Sequence, residues 1–261
     1  MNDPTDVQPP DRPLAGVSVV ITRPAGTAGP LARRVRALGG LPVTVPGLSL
    51  RAVAGTDAHD ALLAALGDEL VIFTSPAAVR FAAKLAPLRT TATVVAVGQG
   101  TAAALCAHGI AAHVPAQRQD SEGLLALDVV GELDRRRVAL VGAPGGRGVI
   151  RRELVARGAQ LREVHVYRRV APRLDRRHID PLLALPARSA VLISSAEAIG
   201  HLRHGLAGPA WERLQRALAV VSSERLRDVA NEAGFAEILV AASAMPADML
   251  KTVGEYVFTC D

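Results

Sequence analysis

The strongest constraint on this chain is that it spells the same pattern twice. VIFTSPAAVRF (71–81) and VLISSAEAIGHL (191–202) align at an offset of 120 residues. Each is a β-branched apolar run, a pair of hydroxyl residues and the start of a helix. VSVVITRPAGTAGPLARRVRALGG (17–40) answers VALVGAPGGRGVIRRELVARGA (138–159) at nearly the same offset, and VVAVGQGTAAALCAHGI (94–110) answers LAVVSSERLRDVANEAGF (218–235). Two halves of about 130 residues, meeting near Gly131, therefore look like duplicated units. The simplest product of such a duplication is two similar lobes.

Strands are expected at 17–22, 42–46, 70–74, 93–97, 111–114, 138–142, 161–167, 190–194, 218–222 and 238–240. Helical periodicity fills stretches between them, such as 29–38, 76–85, 101–108, 121–133, 148–157, 196–204, 223–233 and 246–253. Continuous apolar runs are the mark of strands buried on both faces, and β-α-β alternation gives a parallel sheet covered by helices on each side. Ten strands are too many for an eight-stranded barrel and suit two five-stranded sheets. The expected class is α/β, with two similar doubly wound parallel-sheet domains. In such sheets ligands sit outside the carboxyl ends of the strands, which directs attention to the loops there.

Composition narrows the function. Apolar residues make up 49% of the chain but aromatics only 3%, so aliphatic side chains build the core. The net charge of +5 comes almost wholly from arginine, Lys84 and Lys251 being the only lysines, and it favours an anionic partner. The clustered basic stripe of a nucleic-acid binder is missing, and Arg135-Arg136-Arg137 reads as a solvated turn before a strand. Cys106 and Cys260 form neither a disulfide framework nor a metal-type pair. No apolar run reaches the roughly 18 residues of a membrane span. Residues 1–13 are rich in Pro and Asp, unlike a signal peptide, and read as a flexible tail. The expectation is a cytoplasmic protein bound to no membrane and no nucleic acid.

The loops after the strands carry Thr22-Arg23-Pro24, Thr74-Ser75-Pro76, Gly98-Gln99-Gly100-Thr101, 142–148 with Arg147, Ser194-Ser195 and Ser222-Ser223. A hydroxyl at such a place caps the helix that follows, and capping alone accounts for any one of them. Six together, with the free N–H groups of helix starts, make a surface suited to carboxylates or phosphates. Residues 98–103 also fit the G-x-G-x-x-A dinucleotide fingerprint, with Asp120 about the right distance on, which leaves an NAD(P)-dependent enzyme as an alternative. Against it, the next strand ends at Val114-Pro115 with no acidic residue. Residues 142–148 lack the Lys-Ser/Thr of a Walker loop. His201 and His204 have no third ligand, and Ser194-Ser195 lack a G-x-S-x-G elbow and an activating His/Asp pair. Tyr167, one of two tyrosines, ends a strand and is followed by Arg168-Arg169.

Read in order, Thr22-Arg23-Pro24, Pro46, FTSPAAV (73–79), VGQGTAAAL (97–105), Glu122-Gly123-Leu124-Leu125, Gly146-Arg147, Val166-Tyr167-Arg168, ISSAEAI (193–199) and SSERL (222–226) resemble the uroporphyrinogen-III synthase family over about residues 15–255. The chain departs from that pattern at Pro76-Ala77, Ala143-Pro144 and Ser222-Ser223. The resemblance implies two lobes joined by a two-stranded β-ladder of 42–51 and 162–171. One domain would be 14–47 plus 170–261 and the other 48–169. It implies a hydro-lyase that takes hydroxymethylbilane, a linear tetrapyrrole with eight carboxylates, and closes it with loss of water and inversion of the last ring. No metal or organic cofactor is implied. Tyr167 would be catalytic, acting on the departing hydroxyl. Thr22, Arg23, Thr74, Ser75, Gly98, Thr101, Arg147, Ser194, Ser195 and Ser223 would bind substrate. A monomer in transient contact with the preceding pathway enzyme completes the expectation. A non-catalytic bilobal sensor is the other alternative.

Overall fold

The apolar runs do form strands. The computed structural model describes residues 12–116, 118–145 and 148–259, with only the backbone for 257–259. Most of the tail expected at 1–13 lies outside the described residues. In chain order the strands are β1 (Ser18–Ile21), β2 (Leu41–Thr44), β3 (Ser49–Ala52), β4 (Leu70–Phe73), β5 (Thr93–Ala96), β6 (Arg137–Gly142), β7 (Gln160–His165), β8 (Tyr167–Val170), β9 (Ser189–Ile193), β10 (Leu218–Val221) and β11 (Ile238–Val240). One compact unit takes the chain up to Ser49 and again from Val170, and the other is Leu50–Arg169.

The first unit holds a parallel sheet in the order β11-β10-β9-β1-β2. The second holds a parallel sheet in the order β5-β4-β6-β7. The duplicated segments therefore occupy the same places twice: β10, β9 and β1 correspond to β5, β4 and β6. Each half of the sequence gives its first βα unit to one sheet and the rest to the other.

The second sheet has four strands, not five. At 111–114 the structure has only an isolated parallel bridge between Val95 and His113. His113 N–H donates to Val94 O and Ala96 N–H to His113 O. Ala111 and Ala112 favour strands weakly, and Pro115 removes the next donor.

The ladder is also shorter than expected. Residues 42–51 divide into β2, which belongs to the first sheet, and β3; residues 162–171 divide into β7 and β8. Only β3 and β8 pair with each other, antiparallel, in a two-stranded sheet. The breaks have a hydrogen-bonding cause. Val45 and Gly47 N–H still donate to Ile21 and Thr22 in the first sheet, while Pro46 between them has no N–H to give. Val166 N–H makes the last rung of the second sheet, to Gly142 O. The helix expected at 121–133 stops at Leu125, followed by a 3₁₀ turn at Asp128–Val130. Arg157 Nη1 donates to Leu125 O and Val130 O, both at 2.9 Å, and so takes carbonyls that a longer helix would use itself.

Alternate residues of each central strand face opposite apolar layers. Val71 and Phe73 of β4 join one cluster and Leu70 and Ile72 another. In β9, Val191 and Ile193 divide from Ala190 and Leu192 in the same way. Burying each of the larger side chains contributes about 1.5–3 kcal/mol, and the two-sided burial fixes the carboxyl ends of these strands as rigid mounts for the loops beyond them.

Candidate active site

In the second unit, the loops after β4 and β6 and the chain leaving β7 surround a cavity of about 510 Å³. Tyr167 stands where β7 gives way to β8. Its side chain is nearly enclosed, 7% exposed, and still reaches the cavity lining. The ring stacks on Phe81 with centroids 5.3 Å apart and planes 20° from parallel. The hydroxyl lies 3.2 Å from Ser75 Oγ. Ser75 has an extended backbone and caps the helix Pro76–Leu85, its oxygen accepting Ala78 N–H at 3.0 Å. Beside it, Thr74 Oγ1 donates to Val141 O at 3.2 Å, and this hydroxyl fills the space where Gly142 would carry a Cβ.

Charged groups ring the same cavity. Arg151 Nε lies 2.6 Å from Glu163 Oε1, and Arg169 Nη2 donates to Pro144 O at 2.9 Å. Asp120 caps the helix Ser121–Leu125 through Gly123 N–H and is paired with Arg118 Nη2 at 2.8 Å. Partial burial works to raise the Asp120 carboxyl, but the Gly123 N–H and the Arg118 guanidinium together outweigh it and hold the group below its usual range. Arg151, Glu163 and His165 were not among the residues singled out from sequence, and Asp120 and Arg169 were noted there only beside the 98–103 fingerprint and Tyr167, not as substrate-binding candidates. Arg151 belongs to an Arg-rich helix and Glu163 and His165 alternate along an edge strand, so all three read as solvated faces.

The remaining sequence candidates divide. Thr74 and Ser75 line the cavity with Tyr167. Arg147 lies outside the described residues. Gly98 precedes the helix Gln99–Cys106, but Gln119 Oε1 accepts the Gln99 N–H at 2.9 Å and lies where a side chain on Gly98 would go. Thr101 is 3% exposed inside that helix and is not in the cavity lining. The dinucleotide reading of 98–103 gains no support from this geometry, since the first amide that would receive a pyrophosphate already meets a side-chain acceptor.

In the first unit, Thr22-Arg23, Ser194-Ser195 and Ser222-Ser223 follow the neighbouring strands β1, β9 and β10 at their carboxyl ends. Thr22 faces inward, 4% exposed, with Oγ1 donating to Leu192 O at 2.7 Å. Ser194 is exposed, and Ser195 caps its helix by accepting Ala198 N–H at 3.4 Å. Ser223 stands at a helix cap without a side-chain cap bond. Arg23 is half-buried with no carboxylate partner among the described residues, and burial lowers its pKa. An enclosed guanidinium of that kind is a ready site for an anion. No group of three His, Cys, Asp or Glu that could hold a metal occurs among the described residues.

Comparison with known proteins follows the same direction. A family model described as uroporphyrinogen-III synthase HemD matches residues 29–251. A uroporphyrinogen-III synthase of Salmonella typhimurium is 31% identical over 240 residues, covering 87% of this chain and 96% of the relative. One from Escherichia coli is 30% identical over 242 residues, with the same coverage. The fold resembles that of uroporphyrinogen-III synthetase from Helicobacter pylori, with a TM-score of 0.62 at 14% identity over 94% of this chain and 99% of that one. A mutant uroporphyrinogen III synthase from Thermus thermophilus gives 0.58 at 21% identity over 93% and 99%. Neither the dinucleotide enzyme nor the sensor is favoured by these matches, and the chain belongs to the uroporphyrinogen-III synthase family, enzymes of haem biosynthesis.

Proposed function

We propose that this chain is a lyase that closes hydroxymethylbilane to uroporphyrinogen III with loss of water, and that the cavity around Tyr167 is where the hydroxyl departs. The observation that supports the reading is a nearly buried phenol in the wall of a cavity bordered by arginines, stacked on Phe81 with its hydroxyl beside a capped helix start. In the reaction the hydroxymethyl C–O bond breaks and the leaving hydroxide takes the Tyr167 proton to become water. The cation left behind is attacked by the substituted carbon of the terminal pyrrole, forming a spiro centre. The older of the two methylene bonds at that centre then breaks, the freed methylene cation bonds the unsubstituted α-carbon of the same ring, which inverts it, and the proton lost from that carbon restores the phenol. A phenol is a weak acid, so hydrogen bonding to the departing oxygen is part of what Tyr167 supplies as the C–O bond breaks.

Arg151 and Arg169 would take acetate and propionate groups by charge-assisted hydrogen bonds. Glu163 holds Arg151 in place until a substrate carboxylate competes for it. Thr74 and Ser75 fix the loop after β4 at the cavity wall, and Arg23 is the first unit's own group for a carboxylate. Since the substrate closes uninverted on its own, the protein's further task is to hold the chain in the spiro-forming shape.

The test is to generate hydroxymethylbilane in place, add the purified chain, oxidise the products and separate the isomers. The type III isomer should dominate. An isomer mixture left at its spontaneous type I composition would overturn the proposal.

A further inference from the structure

We propose that Ser75 is a positioning residue that makes Tyr167 a hydrogen-bond donor toward the cavity; this rests on the catalytic reading of Tyr167. Ser75 Oγ meets two partners. It accepts the Ala78 N–H at 3.0 Å, at the positive end of the ten-residue helix Pro76–Leu85, and it lies 3.2 Å from the Tyr167 hydroxyl, where either oxygen could be the donor. A hydroxyl that already accepts a hydrogen bond becomes a stronger donor and a weaker second acceptor, because the bonds polarise one another. The favoured direction is therefore Ser75 O–H donating to Tyr167 O. The single phenolic hydrogen is then released from Ser75 and turns to the cavity that Tyr167 lines. Stacking on Phe81 supports the ring in this orientation. No proton travels along the chain of bonds; its effect is orientation and polarisation.

The duplication supplies an internal control. Ser195 occupies the place of Ser75 in the first unit and caps its helix in the same way, through Ala198 N–H. His201 stands there where Phe81 stands in the second unit. The chain that follows edge strand β2 packs its backbone against this helix: His201 Nδ1 lies 3.0 Å from Gly47 O, and a Cβ on Gly47 would run into Ala198. The fold thus builds this corner without any phenol. The serine is common to both copies as a cap, and the pairing with tyrosine is an addition that the cap does not require.

The test is a double-mutant cycle in the full chain, reading kcat, KM and Tm. Ser75→Ala should lower kcat roughly five- to ten-fold with KM within about two-fold, since the hydroxyl acts through the phenol in the transition state. Ser75→Gly removes the hydroxyl at little cost to the cap, so it should keep Tm near wild type and show the same kcat loss. Ser75→Thr retains both donor and acceptor and should rescue kcat. In the Tyr167→Phe background, adding Ser75→Ala should change kcat no further. If Tyr167→Phe is slow while Ser75→Ala and Ser75→Gly turn over normally, or if the two effects multiply, the positioning role is refuted and Tyr167 stands. If Tyr167→Phe itself turns over normally, the catalytic reading fails first.

Discussion

A single methyl group added at Gly142 tests how tightly the cavity wall is built. Gly142 ends β6, and a Cβ there would fall on Thr74 Oγ1, well inside the roughly 3.5–4.0 Å of ordinary van der Waals contact. Thr74 cannot yield cheaply. Its β-branched side chain is stiff at χ1, and its hydroxyl donates to Val141 O at 3.2 Å. Turning it away loses a hydrogen bond worth about 1 kcal/mol and forces a strained rotamer worth about 1 kcal/mol more. Gly142→Ala should therefore destabilise by about 2 kcal/mol, lowering Tm by roughly 4–8 °C in a chain of this size. Because Thr74 precedes Ser75, the displaced loop should also carry Ser75 away from Tyr167 and lower kcat about ten-fold, as misplacement of a positioned group does. Differential scanning calorimetry and initial rates on the same preparation decide it. A variant with wild-type Tm and wild-type turnover would refute the argument that this contact sets the loop.

Two further predictions use the charged groups. Arg23→Met removes a half-buried guanidinium that has no carboxylate partner, so Tm should hold or rise while KM increases about ten-fold, the worth of one charge-assisted hydrogen bond; steady-state kinetics and a melt check both halves. Asp120 has a folded carboxyl below its usual range, so its contribution to stability is present above the unfolded pKa and is lost as pH falls through the folded one. The Tm difference between the wild type and Asp120→Asn should therefore be largest near neutrality and close below about pH 4, which thermal melts across a buffer series would show.

What could be read from the sequence was whatever burial on two faces writes into it. Apart from Ser18, Arg137 and Ser189 at their starts, the runs of β1, β4, β6, β9 and β10 carry no polar residue because both of their faces are buried, and their repetition marked the duplication that the two parallel sheets share. The ladder is present but was expected too long, because Leu41–Ala52 reads as one strand-like stretch and the missing N–H of Pro46 divides it between two sheets. The helix after Asp120 was overextended because its end is set by Arg157, a residue distant in sequence. Hydroxyls at strand ends looked alike, yet Ser75 turns to the cavity while Thr22 turns inward to a neighbouring strand's carbonyl, a difference that no local pattern encodes. Tyr167 was visible by its rarity; Ser75 was visible as a cap and as a candidate substrate-binding hydroxyl, but not as the partner of Tyr167.

The most direct measurement is the rate and isomer composition of product formed by Tyr167→Phe. The ring stack on Phe81 survives that change, and only the hydroxyl 3.2 Å from Ser75 is lost. The account predicts turnover reduced roughly ten-fold or more with the inverted isomer still formed, since folding of the substrate and departure of its hydroxyl are separate tasks. Unaltered turnover would contradict it.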